Sequence, residues 1–150
     1  MKATDVLVSQ HKFLASMFGY MERALPEAAT SAEVAALARL AEDLIRDHAE
    51  AEEMLLFSPL DALLTEKGQF AHFYSSHKEY MRLLEKPQAP MAVTEARSLL
   101  LLAFRILRTH FHDEERLVIP LAHAAFPPES LEKLGNDWMQ RHAPLESSEP

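Results

Sequence analysis

Apolar residues recur at spacings of three and four along most of the chain, the period of a helix packed on one side. In the first segment Leu7, His11, Leu14, Phe18, Met21 and Leu25 form one stripe. Thr4 is placed to cap this helix and Pro26 to end it. Thr30-Ser31-Ala32-Glu33 has the form of a capping box that opens a second helix. Its stripe is Val34, Leu37, Ala41, Leu44, His48, Glu52 and Leu55, closed by Pro59. A third helix is predicted from about Glu66, with Phe70, Phe73, His77, Tyr80 or Met81, and Leu84 on one face. Pro87 and Pro90 disfavour helix before them, so the segment between Lys86 and Pro90 reads as a loop. The fourth stripe is Leu99, Leu102, Ile106, His110, Glu114 and Leu117, and Pro120 bends or ends that helix. Pro127-Pro128 starts a short tail helix through about Arg141, and Ala143 to Pro150 reads as frayed.

Four long helices joined by short links make antiparallel neighbours. The predicted fold is all-α: an up-down-up-down four-helix bundle over residues 1–126, then a short C-terminal tail helix and frayed end over 127–150. The second and fourth helices echo each other. One carries His48-Ala-Glu-Ala-Glu52-Glu53 with Pro59 beyond, the other His110-Phe-His-Asp-Glu114-Glu115 with Pro120 beyond. That is a weak repeat of two helix pairs.

Composition narrows the function. At 150 residues and 48% apolar, the chain is sized for one domain with one buried core. Three Gly against nine Pro are too few glycines for a turn-rich β-sandwich or a phosphate-cradling loop. The lack of Cys excludes disulfides, thiolate metal sites, iron–sulfur clusters and Cys nucleophiles. A net charge of -8 argues against nucleic acid as a partner. The longest apolar run, Leu99 to Phe104, falls far short of the ~20 residues of a membrane span. The N-terminus is too polar for a signal peptide, so a soluble cytoplasmic protein with no membrane partner is expected.

Histidine, at 8 residues, is the unusual component. Each of the four core stripes contains one: His11, His48, His77 and His110. Glu52 and Glu114 follow two of them by four residues, which puts each His/Glu pair on one face. Counting ~1.5 Å of rise per residue from the predicted helix ends puts all four His within about one and a half turns of depth. A single His–Glu pair is ordinarily a surface interaction, and a lone inward His is ordinarily a hydrogen-bonded core residue. A His on every core stripe at similar depth is harder to obtain that way. Four imidazoles and two carboxylates in one buried layer are costly unless something satisfies them. Imidazole nitrogen and carboxylate oxygen suit iron, manganese or zinc. Six ligands exceed one tetrahedral zinc and suit two metals bridged by the carboxylates and a water-derived oxygen.

His72, His112, His123 and His142 fall off the stripes and read as surface or interface residues. Glu53 and Glu115 are expected to face solvent, with Glu115 the competitor of Glu114 if the helix rotates near Pro120. No Glu stands three residues before any His, as ferritin-like di-iron sites require. His-Glu-x-x-His and Gly-x-Ser-x-Gly motifs are also missing.

These residues resemble the hemerythrin family, specifically the bacterial hemerythrin-like HHE cation-binding domains. The matching positions are His11, His48-x-x-x-Glu52 followed by Pro59, His77, and His110-x-x-x-Glu114 followed by Pro120. The resemblance covers roughly residues 5 to 126. It implies two non-haem iron ions with a bridging oxo or hydroxo group, ligated by His11, His48, His77 and His110 and bridged by Glu52 and Glu114. The ligand it implies is O₂, another diatomic or peroxide. Oxygen-carrying members have a second His on the third helix, four residues from the first. Here those positions are Phe73 and Met81, so one imidazole is missing and a coordination position is open.

The resulting expectation is a di-iron protein that binds or senses O₂, iron or redox state; a homodimer is compatible with it. Leu14, Phe18, Leu44, Phe73, Ile106 and Leu117 are expected to wall the site from water. The rival is a di-iron enzyme, a ferroxidase or peroxide-decomposing protein, favoured by the open position, with Tyr74 or Tyr80 near the metals. A third reading is a metal-free interaction bundle.

Overall fold

The computed structural model describes residues 1–141; His142 and the tail predicted to fray lie outside the described residues. The helices are α1 (Ala3–Ala24), α2 (Ser31–Glu52), α3 (Ser58–Leu63), α4 (Ala71–Glu85), α5 (Val93–Ala125) and α6 (Pro128–Arg141), with no strand among the described residues. α1, α2, α4 and α5 form the up-down-up-down bundle, and α6 is the tail helix. No helix of the described residues is long and apolar enough to cross a membrane.

Local chemistry sets most boundaries. Thr30 and Glu33 form the expected capping box, Glu33 N–H donating to Thr30 Oγ1 at 3.3 Å and Thr30 N–H to Glu33 Oε2 at 2.8 Å. Such a cap is worth about 1 kcal/mol. Thr4 is not the cap of α1, which starts one residue earlier; its buried hydroxyl instead lies 3.3 Å from Nε2 of His123 near the end of α5. Pro59 does not close the second helix. α2 runs through a widened π-turn, Glu53–Phe57, directly into α3. A proline ring collides with the carbonyl four residues back in an α-helix, and a π-turn moves that carbonyl aside. The extra residue accounts for a spacing difference: Pro59 follows Glu52 by seven positions, whereas Pro120 follows Glu114 by six. α5 continues past Pro120 to Ala125.

Two apolar clusters stack along the bundle. One contains Leu14, Phe18, Ile45, Tyr80, Phe104 and Leu107. The other contains Leu7, Leu56, Phe57, Phe73, Val118 and Trp138. α6 supplies Trp138 by lying close on α1; a Cβ at Gly135 would collide with the backbone of Met1 to Ala3. On every long helix the buried His falls between a residue of the first cluster and one of the second: Leu14 and Leu7, Ile45 and Ala51, Tyr80 and Phe73, Leu107 and Val118. The polar layer is thus sealed at both ends by hydrocarbon.

Two stripes bury their His and Glu as expected, with Val34, Ala41 and Leu55, but shift by one residue at several other apolar positions. On α2, Ala38 and Ile45 are buried while Leu37 and Leu44 are half-buried. On α5, Leu100, Leu107 and Val118 are buried, Leu99, Leu102 and Ile106 half-buried, and Leu117 exposed. Leu14, Phe18 and Phe73 of the expected wall are buried; Ile45, Leu107 and Val118 take the places read for Leu44, Ile106 and Leu117.

Candidate metal centre

All six residues singled out from the sequence meet in one buried layer, each no more than 5% exposed. His110 Nε2 lies 2.7 Å from Glu114 Oε1, one turn along α5. His77 Nε2 on α4 lies 3.0 Å from His110 Nε2 and 3.5 Å from both Glu52 Oε2 and Glu114 Oε1. His11 Nε2 on α1 lies 3.5 Å from Glu114 Oε2. The rings of His11 and His48 approach edge to face at 5.0 Å.

The donor atoms fall into two overlapping groups, each with its atoms within 4.8 Å of one another: Glu52, His77, His110 and Glu114, and His11, His48 and Glu52. Glu52 belongs to both. Several inward atoms have no hydrogen-bond partner among the described residues: His11 Nε2, both oxygens of Glu52, and Glu114 Oε2. Leaving carboxylate oxygens dry and unpartnered costs several kcal/mol, roughly, unless a cation or proton meets them. Nitrogen and oxygen donors converging on one dry space fit a metal cation of the iron, manganese or zinc type.

An outer set of polar residues holds the imidazoles, and the sequence reading missed it. Glu53 and Glu115 do not face solvent freely. Glu53 Oε1 accepts from Nδ1 of His77 at 2.6 Å, and Glu115 Oε1 from Nδ1 of His11 at 3.0 Å. Gln10 Oε1 accepts from Nδ1 of His48 at 2.8 Å. A proton fixed on Nδ1 leaves the Nε2 lone pair pointing into the layer, the tautomer a metal needs. The braces obey the repeat: the second Glu of each Glu-Glu pair crosses to the lone His of the other helix pair. The doubled glutamates were the available signal. Glu114 is fully buried in the layer, and the rotation that would exchange it with Glu115 does not occur.

Proximity perturbs these groups strongly in the metal-free protein. Burial, then the Glu114 charge, raises Glu52 to about 7. Burial opposes charge on His77, but the Glu114 and Glu52 carboxylates, each 3.5 Å from its Nε2, outweigh it and raise that imidazole to about 10. Burial lowers His110 to about 4; burial and the neighbouring His48 and His110 lower His11 to about 2. Glu114 is raised, by burial first. Burial and the Glu52 and Glu114 charges hold the Tyr80 hydroxyl well above the ordinary tyrosine value.

On α4 the position four before His77 is Phe73, buried, with its ring 5.6 Å from that of His110. Met81, four after, is half-buried and lines a cleft of about 470 Å³ with Arg46, Glu53, Tyr74, Lys78 and His77. This cleft reaches the outer side of the His77–Glu53 pair. His72 and His112 are exposed on the bundle surface, as the stripes predicted, and His123 is exposed while contacting Thr4.

The hemerythrin HHE cation-binding domain matches residues 2–122 of the chain. The chain therefore belongs to the hemerythrin HHE family, and its buried His/Glu groups are able to hold metal. Comparison with curated proteins and with solved structures returned no match.

Proposed function

We propose that this chain is a non-haem di-iron protein whose centre binds O₂ or a related small ligand and through it senses oxygen, iron or redox state. The observation that carries this reading is Glu52, shared by two donor groups that together draw on all four long helices. His11 and His48 would hold one ion, His77 and His110 the other, with Glu52 and Glu114 bridging. Paired ferrous ions, when bound, supply electrons for reversible or irreversible reaction with a small oxidant. Glu53, Glu115 and Gln10 keep the imidazoles in the ligating tautomer, and the apolar clusters keep water out of the layer. A second reading, a ferroxidase or peroxide-decomposing enzyme, draws support from Phe73 standing where a further imidazole would fill the site. Steady-state consumption of peroxide separates them: a binder turns over negligibly.

Metal binding must displace protons, because the ligating form of each imidazole is neutral and that of each carboxylate ionised. Near pH 7 the fold holds a proton on His77 and favours one on Glu52. Anaerobic Fe(II) titration in two buffers of different protonation enthalpy is expected to read about one to two protons released per chain. Release of none would remove His77 and Glu52 from the site.

The same groups set the pH dependence of the metal-free fold. His77, raised to about 10, stabilises fully below its ordinary 6.5, and this is lost as pH rises towards 10. His11 and His110, lowered to about 2 and about 4, stabilise fully above 6.5 and lose this as pH falls. Glu52, raised to about 7, contributes fully below 4.5 and fades towards 7, and Glu114, also raised, fades in the same sense, so the two carboxyls oppose His11 and His110 above 4.5. The Tm of metal-free protein is therefore expected to pass through a broad maximum between about pH 4.5 and 6.5 and to fall on both sides, and added metal to raise it most on the alkaline side. A metal-free Tm that climbs steadily to pH 9 would contradict this.

A further inference from the structure

Tyr80 lies on α4 one turn beyond His77, at the boundary between the polar layer and the first apolar cluster. It is fully buried, with its ring 5.3 Å from that of His77 and 5.2 Å from that of His110. Its hydroxyl has no hydrogen-bond partner among the described residues. Phe18, Phe57, Phe73, Phe104 and Phe111, buried on the same helices and turns, have no polar atom. A phenylalanine at position 80 would fill nearly the same volume and avoid the cost of burying an unpaired hydroxyl. Trp138 also buries an unpartnered N–H, but no smaller residue reproduces the bulk of an indole. For Tyr80 the hydroxyl itself is the feature to explain. The other two tyrosines differ: Tyr20 is exposed and Tyr74 half-buried.

We propose that Tyr80 is a ligand-binding residue of this centre, its hydroxyl donating a hydrogen bond to the small anion or oxygen species that enters beside His77 and His110. This rests on the di-iron reading above. Tyrosine is a neutral donor near neutral pH, and no protein acceptor competes for its proton among the described residues. The other hydroxyl near this face belongs to Tyr74, half-buried with its ring 6.5 Å from that of His77, while Phe73 and Phe57 flank the same imidazoles with hydrocarbon only. A small anion drawn here by bound cations would otherwise be flanked by carboxylates and apolar rings. The hydroxyl thus selects for small ligands able to accept a hydrogen bond over apolar gases.

Tyr80→Phe tests this with azide as the probe, titrated by its visible absorption into iron(III)-loaded protein. Hydrogen bonds to charged groups are worth about 1.5–3 kcal/mol, so azide affinity is expected to fall about 10- to 100-fold. Iron content is expected to match wild type, and the metal-free Tm of the variant to equal or exceed it. Unchanged azide affinity would overturn the proposal. A lower metal-free Tm would show that the hydroxyl has a structural partner and overturn it too. Loss of iron, or of a tyrosinate-to-iron absorption band present before azide is added, would make Tyr80 a metal ligand and overturn the donor role. Wild-type protein that takes up no iron would instead refute the di-iron reading, and Tyr80's role with it.

Discussion

Glu114→Ala is expected to lower the iron retained after dialysis from two ions per chain to one or none. Glu114 Oε1 lies 2.7 Å from His110 Nε2, and Oε2 lies 3.5 Å from His11 Nε2, so one residue serves both halves of the layer. Its removal takes a negative donor from each ion and leaves a void that the four helices cannot close without shifting. Glu115→Ala acts one step further out, by freeing Nδ1 of His11. Loss of such an outer partner typically weakens metal binding about 10- to 100-fold without abolishing it. Glu115→Gln, which still accepts from Nδ1, is expected to recover part of that loss. Metal-free Glu114→Ala is expected to remain folded, because the substitution also removes a fully buried carboxylate with an unpartnered oxygen. Elemental analysis with a thermal melt of each metal-free variant checks all of this. Full iron content in Glu114→Ala would show that Glu114 is not a bridge.

Phe73→His is expected to slow oxidation of the ferrous protein by about tenfold, the scale on which ligand-shell changes act. Phe73 is buried with its ring against His110, so an imidazole there points into the layer and supplies a nitrogen where the wild type offers hydrocarbon. Met81→His is expected to behave as wild type, because position 81 is half-buried and opens on the cleft. Stopped-flow mixing with O₂ is expected to oxidise wild-type ferrous protein within minutes. A wild-type adduct that lasts for hours, or a stabilising effect at 81 and not 73, would contradict the arrangement of α4 described above.

The polar layer was legible because chemistry marked it. Histidine and glutamate interrupting apolar stripes stand out whatever the exact phase of a helix, and the i,i+4 spacing places them without coordinates. The apolar neighbours were less legible. In α1, polar Lys12, Ser16 and Glu22 separate the stripe residues, and every one of Leu7, Leu14, Phe18, Met21 and Leu25 is buried as read. In α5, Leu99, Leu100, Leu101 and Leu102 run together, and four adjacent leucines carry no phase; tertiary packing chose Leu100. The doubled glutamates marked the braces without naming their partners. Glu53 and Glu115 act across helices, on His77 and His11, and spacing within one helix reports nothing about a partner on another. Pro59 misled because a proline is ordinarily a stop, and here a π-turn absorbed it.

On the proposed function, six buried side chains hold two ions together rather than satisfying one another as a polar network. Anaerobic titration of metal-free protein with Fe(II), followed by removal of loose metal and elemental analysis, separates the two. Two irons per chain are expected in the wild type. One iron per chain would contradict the dinuclear centre, and none would leave the layer as a metal-free network of histidine and glutamate.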